Sequence, residues 1–170
     1  MVSTKHTLVA LVEDKPGVLN RMVSLFRRRG FNIDSIAVGS SEMSNCSRIT
    51  FVVNGTPTMV EQVRKQLMGK VLEVVNVTDL TDKNIVIREL ALIKVKAPSA
   101  ARSEIIQIVD IFRAEIVDVT RDFLTVEITG TEDKIESLLD LLKPFGIKEL
   151  VRTGRIAMTC GVAIEDEESK

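Results

Sequence analysis

A strand–helix–strand–strand–helix–strand pattern runs along this chain twice, and that duplication constrains the fold more than any other feature of the sequence. The first copy opens on Thr7 to Val12, a nearly all-apolar, β-prone run. Asp14-Lys15-Pro16-Gly17 turns it into a helix with apolar positions Leu19, Met22, Val23 and Phe26 at i, i+3, i+4 and i+7. Arg21, Arg27 and Arg28 take the other side, and Gly30 stops the helix. Phe31 to Val38 reads as a strand, residues 39–47 as a polar loop, and Arg48 to Val53 as a third strand. Thr56 and Pro57 have the chemistry of an N-cap and a first helical residue. Met59, Val60, Val63 and Leu67 give that helix its apolar face, Gly69 ends it, and Val71 to Val77 is the fourth strand.

The order then repeats. Ile85 to Val95 is a long strand, and Pro98-Ser99 opens a helix carrying Ala101, Ile105, Ile108, Val109 and Phe112. Ile116 to Val119 is a strand, and Arg121-Asp122 a tight turn. Leu124, Val126 and Ile128 alternate with Thr125, Glu127 and Thr129, the period of a half-buried strand. Thr131 caps a helix faced with Ile135, Leu138, Leu139 and Leu142, and Pro144 and Gly146 end it. Ile147 to Val151 is the last strand, which Arg155 to Met158 can extend. The prediction is an α+β chain of two tandem ferredoxin-like βαββαβ units, each an antiparallel sheet with two helices on one face. The boundaries are residues 1–79 and 85–161, joined by a linker at 80–84 and followed by a polar tail at 162–170. Units this small bury modest cores and leave sheet edges open, so they are expected to pair as homo-oligomers.

This fold serves many functions, and the side chains must decide among them. Recognition of RNA bases on such a sheet needs exposed aromatics, but the third strand, Arg48-Ile49-Thr50-Phe51-Val52-Val53, has one Phe, and the chain has no Trp or Tyr. A formal net charge of -1 gives no electrostatic reason to bind nucleic acid or an anionic membrane. Metal transport on this fold would need a CxxC in the first βα loop, which instead reads Asp14-Lys15-Pro16-Gly17. No catalytic residue and no metal ligand set is identified: GxSxG, P-loop and GxGxxG motifs are absent, and His6, the single histidine, reads as an exposed strand-start residue. Cys46 and Cys160 are far apart and read as free thiols of a reducing compartment. With no apolar stretch of membrane-spanning length and no signal-peptide core, the expected location is cytoplasmic.

The first βα loop suits a small amphoteric ligand. A helix N-terminus offers free N–H groups to a carboxylate, Gly17 allows close approach to the backbone, Asp14 can accept from an ammonium, and Asn32 can donate and accept. The same four residues, Asp14 to Gly17, also make a sound turn and helix start without any ligand.

Glu13-Asp14-Lys15-Pro16-Gly17-Val18-Leu19, with Leu25-Phe26-Arg27-Arg28-Arg29-Gly30-Phe31-Asn32-Ile33-Asp34-Ser35, resembles the opening of the regulatory (small) subunits of acetolactate synthase, also called acetohydroxyacid synthase. Arg88 to Val95, Ile111 to Val119, Pro144 to Ile147 and Arg152 to Ala157 resemble later segments of the same family, so the likeness covers about residues 5–161. It implies that the first unit is an ACT domain that joins a second copy edge to edge and holds valine or another branched-chain amino acid at that interface. The effector residues carried over are Asp14, Pro16, Gly17, Val18, Leu19 and Asn32; many family members have Asn at the position of Asp14. The resemblance also implies a catalytic large subunit that this chain binds, activates and subjects to feedback inhibition. It places thiamine diphosphate, magnesium and FAD on that partner, with no cofactor on this chain. Two other readings of the residues stay open: a free-standing ACT-type amino-acid sensor acting on some other protein, and an interaction module without a small ligand.

Overall fold

A computed structural model describes residues 4–161. Its elements are β1 (Thr4–Glu13), α1 (Val18–Arg28), β2 (Ile33–Ser40), β3 (Cys46–Gly55), α2 (Pro57–Lys70), β4 (Val74–Asp79), β5 (Ile85–Lys96), α3 (Ser99–Ile111), β6 (Glu115–Val119), β7 (Phe123–Gly130), α4 (Glu132–Leu142), β8 (Ile147–Arg152) and β9 (Ile156–Thr159). The first sheet has the order β2-β3-β1-β4 and the second β6-β7-β5-β8, with antiparallel pairing throughout. Both are the ferredoxin-like arrangement read from the sequence.

The chain divides into two compact units. Among the described residues, one comprises 4–86 and 155–161, and the other is Ile87–Gly154. This division differs from the sequence boundaries at both ends. The proposed linker 80–84 packs on the first unit: Leu80 is buried and its N–H donates to Thr7 O at 2.8 Å. Residues 155–161 also rejoin the first unit and do not prolong β8. Gly154 takes a left-handed φ of 79° and breaks the strand, and β9 pairs instead with β5, Cys160 N donating to Asn84 O at 2.9 Å. The predicted tail, 162–170, lies outside the described residues.

In the first unit the helices cover one sheet face. Leu8, Ala10 and Val12 from β1 and Ile49, Phe51 and Val53 from β3 meet Met22 and Phe26 of α1 and Val60, Val63 and Leu67 of α2. The Phe26 ring packs against Phe51 at 4.9 Å between centroids and edge-on to Phe31 at 6.2 Å. The buried stripe of α1 is Val18, Met22, Leu25 and Phe26. Leu19 and Val23, expected in the core, are turned outward, Leu19 with 41% of its surface exposed. Met59 is likewise exposed at the start of α2, and α2 runs through Gly69 to Lys70. In the second unit Ala91, Ile93 and Val95 alternate inward from β5 and meet Leu124, Val126 and Ile128 of β7 under Ile105, Val109, Ile135, Leu138 and Leu142. A short 3-10 turn at Lys143–Phe145 follows α4 before Gly146.

Candidate functional site

The turn between β1 and α1 is built from its backbone outward. Asp14 N donates to Asn45 O at 2.8 Å, which ties the turn to the start of β3. Gly17 is the N-cap of α1 with φ 85° and ψ -4°, a left-handed conformation that a Cβ would strain. No side chain caps this helix, so the first-turn N–H groups beside Leu19 and Asn20 have no side-chain acceptor. The carboxylate of Asp14 is exposed and has no partner among the described residues. Glu13 pairs with Lys15 and raises the Lys15 pKa by hydrogen bonding and charge. Arg21 Nη2 donates to Glu73 Oε1 at 2.6 Å, fixing the first turn of α1 to the segment before β4. Neutralised neighbours, an open helix end and one spare carboxylate can receive the two charged ends of a zwitterion.

Asp14, Pro16, Gly17, Val18 and Leu19 therefore form one feature; Val18 anchors it in the core while Asp14, Pro16, Gly17 and Leu19 reach solvent. Asn32 is not part of it within one chain. It precedes Ile33, which pairs with Val53, which in turn pairs with His6 near the start of β1. The Gly17 turn follows Glu13, at the opposite end of the sheet. The 11 residues of α1 separate the two, roughly 16 Å at helical rise. Asn32 Nδ2 donates to Asp34 Oδ1 at 3.0 Å and Asn54 Nδ2 to Asp34 Oδ2 at 2.8 Å. The first bond uses one of the two N–H donors of the exposed Asn32 amide, whose carbonyl oxygen is an acceptor. Asp34 and Asn54, which orient Asn32, were not singled out by the sequence; the Asn-x-Asp spacing was the available signal.

His6 is a buried residue, with 4% of its surface exposed, and not the exposed strand-start residue expected from the sequence. Nδ1 lies 3.3 Å from Asp79 Oδ2 and 3.2 Å from Thr81 Oγ1, and Nε2 lies 3.0 Å from Thr4 Oγ1. Thr81 also bonds Asp79, so the imidazole fastens the chain after β4 to β1. Phe51 is fully buried against the helices and does not present its ring on an open sheet face. Among the described residues no group of three or more His, Cys, Asp and Glu side chains could hold a metal ion, and no helix is long and apolar enough to cross a membrane.

The second unit has no counterpart to the first turn. Between β5 and α3 only Ala97 and Pro98 intervene, and Pro98 is the N-cap with an extended backbone. Arg102 of the first helical turn donates from Nη2 to the carbonyls of Ala97, Thr120 and Arg121 at 3.0, 2.7 and 2.8 Å. α3 likewise has no side-chain cap, but its first turn is tied through Arg102 to the β6–β7 turn.

Comparisons with known proteins match the chain in two successive parts. Residues 8–76 match the family described as the AHAS small subunit-like ACT domain, and residues 88–161 match the small subunit of acetolactate synthase. A probable acetolactate synthase small subunit of Archaeoglobus fulgidus is 52% identical over 157 residues, 92% of this chain and 98% of that protein. The acetolactate synthase small subunit of Aquifex aeolicus is 46% identical over 167 residues, 98% of this chain and 86% of that protein. The crystal structure of the small subunit from Thermotoga maritima superposes with a TM-score of 0.84 at 44% identity, covering 91% of this chain and 96% of that one.

Proposed function

This chain belongs to the family of acetolactate synthase small subunits, and from that premise we propose that it is a cytoplasmic regulatory chain that binds the catalytic subunit, raises its activity and confers feedback inhibition by valine or another branched-chain amino acid. Thiamine diphosphate, magnesium and FAD are assigned to the catalytic partner. The observation that carries the effector reading is the uncapped N-terminus of α1 behind a left-handed Gly17, with the unpaired Asp14 carboxylate beside it. The helix end receives the ligand's carboxylate, Asp14 its ammonium, and the exposed Leu19 side chain its branched apolar group.

The remote position of Asn32 fits a site completed by a second copy. β2 is the edge strand of its sheet and runs parallel to β1, since both are antiparallel to β3. In a two-fold dimer that pairs β2 with its symmetry mate in antiparallel fashion, the start of one β2 lies beside the end of the other. Asn32 of one copy then comes to the end of the sheet where its partner carries the Asp14–Leu19 turn. Outward-facing Leu19 and Val23 on the helix that crosses from β1 to β2, and Val38 on the edge itself, are apolar groups such pairing would cover.

Thermal unfolding with L-valine, L-leucine, L-isoleucine and D-valine tests the effector site. A ligand at a hundred times its dissociation constant adds ~2.7 kcal/mol, and each kcal/mol raises the midpoint by roughly 2–4 °C for a chain of this size. A shift with an L-amino acid and none with D-valine is expected; no shift with any of them rejects the site. Activity of the catalytic subunit, measured as this chain is titrated in, tests the activating role.

A further inference from the structure

The face of the first sheet turned away from its helices carries a contact that the effector reading does not use. Thr7, Val9 and Leu11 of β1 and Thr50 and Val52 of β3 are all buried, although their side chains alternate with those of the helix-side core. Thr7, with 3% of its surface exposed, is a polar group in this setting, and Arg155 Nη1 donates to its Oγ1 at 3.1 Å. The backbone N–H of Arg155 reaches Ser35 Oγ on β2 at 3.5 Å. Arg155 is the first residue of the chain to rejoin the first unit after Gly154 closes the second.

Ser35 belongs to the part of β2 next to Asn32. The β2–β3 register shifts between Ile33 and Ser35, an irregularity that lets a strand re-aim its side chains. Across the shift, Asp34 accepts from Asn32 and Asn54. A hydrogen-bonded series thus runs from Asn32 through Asp34, along the backbone to Ser35, and on to Arg155 and Thr7. A ligand that pulls on Asn32 acts on the strand that Arg155 holds.

We propose that Arg155, through its contacts with Ser35 and Thr7, is a positioning residue that couples effector occupancy at the β2 end to the chain segment leading back from the second unit, and so to the regulatory output. The inference rests on the effector reading above. It requires that binding and response separate when the contact is cut, because neither Thr7 nor Arg155 belongs to the proposed effector site. Spatial continuity alone does not establish coupling, so the test must read binding and inhibition independently.

Thr7→Val removes the Oγ1 acceptor at nearly constant volume and leaves the backbone bond from Thr7 N to Thr81 Oγ1 at 3.2 Å in place. Arg155→Ala removes the donor. Each full-length variant is assayed for the L-valine shift in unfolding temperature, and, bound to the catalytic subunit, for activity without valine and for inhibition by valine. The expected result for both is a valine shift and an uninhibited activity like wild type, with the valine concentration for half-inhibition raised about tenfold, within the usual span of allosteric coupling. The double variant should be no worse than either single one, and Arg155→Lys should restore part of the response. Wild-type inhibition in both single variants overturns the proposal. Parallel loss of the thermal shift and of inhibition overturns it too, since the residues would then only maintain the fold or the site. A wild-type chain with no valine shift and no inhibition rejects the effector reading and this inference with it.

Discussion

Arg152 grips Glu89 through two parallel hydrogen bonds, Nε to Oε1 at 2.8 Å and Nη2 to Oε2 at 2.7 Å. Its third nitrogen, Nη1, donates to Glu136 Oε1 on α4 at 2.5 Å. The fork thereby ties β5, β8 and α4 of the second unit together. Glu89 is 7% exposed, and a buried carboxylate needs such a partner. The same bonds push the Arg152 pKa further above its ordinary value, the Glu89 hydrogen bond first, and keep it charged at any working pH.

Arg152→Ala should therefore cost about 3 kcal/mol of stability, because it strands a buried charge. Removing both charges with Glu89→Leu and Arg152→Met should restore stability to within about 1–2 kcal/mol of the parent. Urea unfolding monitored by circular dichroism reads both. A single variant as stable as wild type would show that the fork contributes little.

Position 17 separates backbone from charge. Asn and Asp have nearly the same shape and are strained alike by the left-handed conformation that Gly17 adopts at φ 85°. Gly17→Asp places a carboxylate where the ligand's carboxylate is proposed to sit; Gly17→Asn does not. The Asp variant should lose the L-valine shift and the feedback inhibition. The Asn variant should keep a weakened response, at comparable stability. Equal responses from the two would argue against a carboxylate at this helix end.

The β2 edge gives a third test. Val38 has 54% of its surface exposed on that strand, and an edge lysine discourages pairing. Val38→Lys is expected to shift the chain toward monomer in sedimentation velocity at micromolar concentration and to weaken the L-valine shift in parallel. A variant that remains dimeric and fully responsive would move the interface elsewhere.

Acid titration offers a fourth. Arg64 donates from Nε and Nη2 to the Glu61 carboxylate at 2.8 and 3.0 Å and holds its pKa below the ordinary 4.5. A folded value below the unfolded one stabilises above the ordinary value, and that stabilisation is lost as pH falls through the folded one. The loss of melting temperature in Glu61→Gln should be small at pH 7, as for any exposed pair, and should shrink as pH falls below 4.5. A deficit that grows in acid contradicts the pairing.

Periodicity made the order of strands and helices legible, because each element alternates or repeats at its own spacing over enough residues. It left the face of α1 undecided. Leu19-Met22-Val23-Phe26 and Val18-Met22-Leu25-Phe26 share two members and satisfy the same helical spacing. The choice falls to the aromatic cluster of Phe26, Phe31 and Phe51, which forms only when β3 arrives. Of the candidate site, the Asp14–Leu19 turn was readable because its residues are contiguous and their conformations local. Asn32 shares their chemistry, but an intervening helix of 11 residues carries it to the other end of the sheet. The fork at Arg152, the burial of His6 and the Arg155–Thr7 contact depend on strand register across 63, 73 and 148 positions of sequence. No local pattern encodes pairs at that range.

The separation of Asn32 from the Gly17 turn has a consequence for how the chain would register an amino acid. A binding site split between two copies obeys mass action in protein as well as in ligand. Dilution weakens apparent affinity, and ligand in turn draws monomers together. The amount of this chain made by the cell then helps set the amino-acid level at which the response begins, so changes in expression would retune the sensor with no change in its sequence.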